Sequence, residues 1–119
     1  MLPHTRAIIA AATHALATGK TITGVFDHAR QMDLQIAAEA RGGRLQAFDG
    51  DRDARFGGTL PDLYDQSDKA FVSLDLDGMR ATGYDRKSSS HFSVTVTEHQ
   101  VQLYDYGAAE WFTFDIRVI

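Results

Sequence analysis

The sequence predicts a mainly β chain with one N-terminal α-helix. The β part reads as an antiparallel meander of about ten strands, closed into a barrel or strongly rolled; a two-sheet β-sandwich is the alternative. Three observations carry this. First, aromatic-Asp pairs recur: six [FY]-Asp pairs occur, against about one expected from eleven Phe and Tyr and thirteen Asp in 119 residues. Second, five of them, Phe26-Asp27, Phe48-Asp49, Tyr64-Asp65, Tyr84-Asp85 and Tyr104-Asp105, follow at spacings of 22, 16, 20 and 20. Third, apolar residues alternate after most of these pairs at +7, +9 and +11 from the Asp, the period-two mark of a strand with one buried face.

The helix is expected over about residues 3–18. Pro3 suits a first helical position, Gly19 suits the stop, and Ile8, Ile9, Ala12 and Leu16 share one face. His14 falls opposite that face and is expected to be exposed. "RAIIAAATHALA" imitates a weak leader peptide, but its apolar stretch is short and broken by His14, so it reads as a helix of the mature fold.

Five hairpin repeats follow over about residues 21–119, completing one domain over residues 1–119. Their +7, +9, +11 positions hold Leu34, Ile36, Ala38; Phe56, Gly58, Leu60; Val72, Leu74, Leu76; Phe92, Val94, Val96; and Phe112, Phe114, Ile116. The second repeat is short, and "TLPDL" must turn tightly there; Pro61 fits because such a turn needs no ladder N–H. "EARGGR", "DGMR" and "TEHQ" supply the turns between repeats. A meander of this length favours closure, which removes exposed edges. Every second turn lies at one end, so the five pairs should line one rim. There each Asp should accept backbone N–H groups one to three residues on, while each aromatic covers a neighbouring strand.

Repeats such as "GYDRKSSSHFSVTV" and "VQLYDYGAAEWFTFDI" behind an N-terminal helix make residues 20–119 resemble a group of small uncharacterised bacterial proteins. The resemblance implies a shared fold and carries no activity or site residue with it. The likeness to the YD repeats of Rhs-type proteins is remote, since there a Gly-Arg-Leu signature continues the repeat.

Composition narrows the function. Cys is absent, which excludes a disulfide framework, thiolate metal sites and Cys nucleophiles, and suits a reducing compartment; a cytoplasmic location is expected. Net charge is −4, and the only basic concentration, Arg41, Arg44, Arg52 and Arg55, is diluted by Asp49, Asp51 and Asp53. Neither nucleic acid nor membrane is an expected partner. Asp49, Asp51 and Asp53 share the D-x-D-x-D spacing of calcium loops, but Ala54 and Leu60 stand where the motif needs Gly and Glu. They are a weak alternative to the expectation of no metal and no cofactor. The five histidines show no close zinc spacing. "KSSSH" lacks a nucleophile elbow, and Ser90 and His91 should point to opposite faces. "ATGKT" lacks the first Gly of a phosphate loop and follows a helix rather than a strand.

The functional expectation is therefore a non-catalytic binding or interaction module for a small molecule or protein. Its surface would be a shared rim of Tyr and Asp, or the barrel mouth, with Tyr64, Tyr84, Tyr104, His28 and His91 as ligand-binding candidates. The alternatives are an enzyme with a small-molecule pocket inside the barrel, and a structural subunit of a homo-oligomer.

Overall fold

A computed structural model describes residues 1–119. The chain runs α1 (Pro3–Thr18), β1 (Ile22–Asp27), β2 (Met32–Leu34), β3 (Ile36–Arg41), β4 (Arg44–Asp49), β5 (Ala54–Thr59) and β6 (Asp62–Asp65). It continues through β7 (Ala70–Asp77), β8 (Arg80–Asp85), β9 (Ser90–Val96), β10 (Gln100–Asp105) and β11 (Glu110–Val118). From β3 to β11 each strand pairs antiparallel with the next, and β11 returns to pair with β1. That last ladder, Val25 opposite Ile116 and Asp27 opposite Phe114, closes the sheet and decides for the barrel against the sandwich.

Ten strands form the barrel wall, with one extra short segment. β2 and β3 lie end to end along the same side of β1, with Gln35 between them. The Gln35 N–H bonds the Asp51 carboxylate at 3.0 Å, and the Gly50 N–H bonds the Gln35 carbonyl at 2.7 Å, so the break is tied to the neighbouring turn. A bulge in β1 between Ile22 and Gly24 leaves Thr23 unpaired against β11.

Alternation sends one side chain in and the next out. Ile22, Val25, Ile36, Leu45, Phe56, Leu63, Val72, Leu74, Phe92, Val94, Leu103, Phe114 and Ile116 are buried inside. Glu39, Arg44, Gln46, Arg55, Asp75, Thr82 and Arg117 point outward. In the second repeat the alternation fails beyond Phe56: Gly58 is exposed at φ 139° and Leu60 is in the turn.

The lumen is occupied by α1, which packs against β1, β3, β4, β7, β9, β10 and β11. Ten strands spaced about 4.8 Å apart and tilted about 40° enclose a radius of about 10 Å. A helix with ordinary side chains is itself about 10–12 Å across, so one that also leaves room for inward strand side chains must be slim. Ala7, Ala10, Ala11, Ala12 and Ala15 supply that narrowness, and every residue from Ala7 to Ala15 is buried.

His14 is among them and is fully buried, against the expectation of exposure. One-face amphipathicity is the wrong criterion for a helix surrounded by strands, because such a helix has no water-facing side. The His14 Nε2 donates to the Glu98 carbonyl at 3.0 Å, tying the helix C-terminal half to the β9–β10 turn. Burial lowers the imidazole pKa, and the bonds to backbone carbonyls only partly oppose it.

Around its ordinary value of 6.5 the unfolded chain takes up a proton that the folded chain refuses until lower pH. The stability tied to neutral His14 is thus complete above that value and declines as pH falls below it. Urea unfolding between pH 7.5 and 5 should show wild type losing more stability than His14→Gln, which keeps a donor but does not titrate. Parallel pH profiles would remove His14 from this role.

Candidate functional site

The five repeated Asp residues end β1, β4, β6, β8 and β10, and all five point into the barrel and are buried. Each carboxylate caps its own turn, as the spacing predicts. Asp27 Oδ1 accepts the N–H of Ala29 at 3.0 Å, Asp49 that of Asp51 at 3.1 Å, Asp65 that of Asp68 at 2.9 Å, Asp85 that of Lys87 at 3.2 Å, and Asp105 that of Gly107 at 2.9 Å. Four residues beyond each Asp the chain takes a left-handed turn, at Gln31, Asp53, Lys69, Ser89 and Ala109, with φ between 51° and 56°. The five turns therefore share one construction.

The second carboxylate oxygens recruit side chains. Asp27 holds Arg30 at 2.7 Å, and Asp85 accepts the Ser88 hydroxyl at 2.6 Å. Arg52 lies 2.6 Å from Asp49 and 3.2 Å from Asp65. Burial works against the Arg52 cation, but its bonds to these two carboxylates outweigh that and raise its pKa.

This rim also grips the start of α1. The Met1 α-ammonium lies 3.0 Å from Asp105 Oδ2 with both side chains fully enclosed, and Arg6 approaches the same oxygen at 3.4 Å while stacking over the Phe112 ring. On the other side His4 and Thr5 bond Asp68 at 3.0 and 3.1 Å. The helix has no acidic residue in its first turn and no side-chain cap. The strand-turn carboxylates supply the negative charge that its positive end favours. Burial pushes the Asp105 carboxyl up, yet the ammonium and the turn N–H groups together hold it below its ordinary value.

Because neighbours on a strand face opposite ways, the aromatic preceding each Asp lies on the outer wall. The expected shared surface of Tyr and Asp is therefore corrected: the carboxylates are inside, and only the rings face out. Each ring meets the residue directly across its hairpin, six positions after the Asp. Tyr64 meets Phe71 with ring centroids 4.9 Å apart, Tyr84 meets His91 at 4.7 Å, and Tyr104 meets Trp111 at 5.1 Å. In the second repeat the partners are Phe48 and Arg55, and in the first Phe26 and Asp33. The sequence reading missed Phe71, Tyr106 and Trp111; a strict count of six from each Asp would have found Phe71 and Trp111. Trp111 is 56% exposed and Tyr106 57%, high for such large rings.

The five candidate residues are spread around the barrel rather than gathered at one point. Tyr84 and His91 come together over a cleft of about 580 Å³ on the outer face of β7–β9, walled by Tyr106. Tyr64 borders a second cleft of about 750 Å³ with Phe48, Arg55 and Gly57. Tyr104 packs between Tyr106 and Trp111. His28 sits edge-on to Phe26, with Nε2 2.9 Å from Asp115 Oδ2. Asp115 is held below its ordinary value by Gln100 first and His28 second.

Comparison with family models, curated proteins and solved structures returned no match to this chain. The chemistry is therefore read from the side chains alone. Asp49, Asp51 and Asp53 do not converge: Asp49 is buried against Arg52, Asp51 caps Gln35, and Asp53 occupies the left-handed position of its turn. Ser90 faces inward and His91 outward, so the expected separation of that pair holds.

Two substitutions test the rim. Asp105→Asn leaves the partly buried ammonium and Arg6 without an anion and should cost about 2–3 kcal/mol. Asp85→Asn, whose partners are neutral, should cost about 1 kcal/mol. Equal losses in urea unfolding would deny the N-terminal cluster its special weight. Separately, Ala109→Gly should raise stability by about 0.5–1 kcal/mol. It relieves a left-handed Ala costing about 1–2 kcal/mol, less the roughly 0.5–1 kcal/mol of flexibility that Gly adds. A fall in melting temperature would refute that account of the turn.

Proposed function

We propose that this protein is a non-catalytic binding module whose ligand surface is the aromatic belt on the outer wall, next to the carboxylate rim. One observation carries the reading. Three cross-strand ring pairs, Tyr64–Phe71, Tyr84–His91 and Tyr104–Trp111, face outward on a wall that is otherwise mostly polar, and clefts lie beside them. Rings with an apolar face and a polar tip are favoured at recognition surfaces. The wall is held by inward carboxylates and the helix, so its outer residues are presented rigidly.

The lumen, where an enzyme pocket was the alternative, is taken up by α1 and the core side chains. Closure of the sheet leaves no long free edge through which a second copy could add a strand, so self-association would also have to use the belt. No helix is long and apolar enough to cross a membrane. The charged outer face is the inverse of the apolar band of a membrane-spanning barrel. With the absence of Cys, this supports placing the module in an aqueous reducing compartment, the cytoplasm.

The test is a backbone NMR screen of the whole chain against neutral and charged saccharides, nucleotides and short peptides. At least one class should shift belt amides saturably. The combined variant Tyr64→Ser, Tyr84→Ser, Tyr104→Ser should abolish the response while retaining cooperative unfolding. Binding that survives the triple variant, or a screen in which no class touches the belt, would overturn the proposal.

A further inference from the structure

We propose that the cleft over β7–β9 is a subsite for one unit of a neutral saccharide; this deepens the binding-module reading and rests on it. Its volume of about 580 Å³ falls within the range of about 300–1,000 Å³ usual for small-ligand sites. Its outward groups are Tyr84, His91 and Tyr106 as rings, the Ser73, Thr82 and Ser93 hydroxyls, and the exposed carboxylate of Asp75.

The rings are locked in place. Tyr84 packs against His91 with centroids 4.7 Å apart, and the Tyr106 hydroxyl meets Ser93 Oγ at 3.2 Å, setting that ring as a wall. Below them Gly83 lets the sheet close tightly: a Cβ there would lie 2.2 Å from the Ser73 carbonyl oxygen and 2.3 Å from the Phe92 ring. The floor is thus fixed by backbone and a buried ring, and the Tyr106 wall comes from the β10–β11 turn.

The chemistry selects among ligand classes. No Lys or Arg lines the cleft and the Asp75 carboxylate repels anions, so His91 is the one side chain there that could compensate a phosphate, sulfate or carboxylate. Asp75 only accepts hydrogen bonds, so it favours a ligand that brings donors. Ser73, Ser93 and Tyr106 both donate and accept, which suits a ligand with several hydroxyls. The C–H face of a pyranose ring is apolar and weakly positive at its hydrogens, and it complements the negative face of an aromatic ring. A proline-rich peptide would match the rings, but its proline residues offer carbonyl acceptors and few of the donors that Asp75 favours. Tyr64's cleft differs in carrying a cation, Arg55, together with Glu39.

NMR titration with cellohexaose, maltohexaose and chitohexaose tests the inference, with a heparin hexasaccharide and a proline-rich decapeptide as the charged and peptide controls. One neutral oligosaccharide should saturate shifts at Ser73, Thr82, Tyr84 and Ser93. Asp75→Asn, at an exposed position that leaves the fold intact, should weaken binding about three- to tenfold, the worth of one hydrogen bond. Tyr106→Phe, which keeps the ring and removes the hydroxyl, should weaken it by a similar factor, and Tyr84→Ala should weaken it more than either. Stronger binding of the heparin fragment, binding of the peptide alone, or saccharide shifts confined to the Phe48–Tyr64 cleft would each overturn the assignment of this cleft to a neutral saccharide while leaving the belt a binding surface. No response to any probe, together with a blank in the wider screen, would overturn both.

Discussion

A closed ten-strand wall encloses a space that its own inward side chains do not fill, and the fold depends on putting a helix there. Protein interiors reach crystal-like density, so an empty lumen would forfeit contacts on every strand. α1 meets the requirement because its central residues are mostly Ala, with Ile8 and Ile9 as the larger contacts. The wall adapts in turn. Ala38 and Ala40 lie on β3, the strand packed most heavily against the helix, whereas larger Phe92 and Phe112 fill other parts of the interior.

Inserting a helix into a barrel raises the problem of its ends, and both are settled by strand turns. The positive N-terminal end, with the Met1 ammonium and Arg6, meets Asp105, while His4 and Thr5 meet Asp68. Near the other end His14 bonds the carbonyl of Glu98, and Gly19 closes the helix in a left-handed conformation at φ 71°. The buried carboxylates thus do two jobs. They close their own turns by accepting backbone N–H groups, and at Asp105 and Asp68 the same turns anchor the helix. Their burial is tolerable because both oxygens are engaged.

Placing an Asp and an aromatic side by side on a strand separates scaffold from surface. The Asp turns in and belongs to the architecture; the ring turns out and is free to vary the surface chemistry. That division explains why one repeat pattern yields different outer clefts. The second repeat offers Phe48 and Arg55, the fourth Tyr84 and His91, the fifth Tyr104 and Trp111, over closely similar turns.

Much of the fold was legible in the chain because its signals are local. Period-two alternation, the recurring aromatic-Asp pair, and the Pro3 and Gly19 boundaries act within a few residues, so they could be read in order and led to a helix followed by a meander. The turn-capping role of Asp was legible for the same reason. What sequence could not decide is whatever depends on closure. Only the pairing of β11 with β1 makes the interior a lumen, and only the lumen makes α1 buried on all sides; His14 was misplaced because a helix read alone is given a water-facing side. The aromatic rings could be assigned to a rim, but not separated from the carboxylates until inside and outside existed. Within one hairpin the register could be counted from the turn, but which hairpins bring their rings to one cleft, as Tyr106 joins Tyr84 and His91, depended on how neighbouring hairpins sit in the sheet.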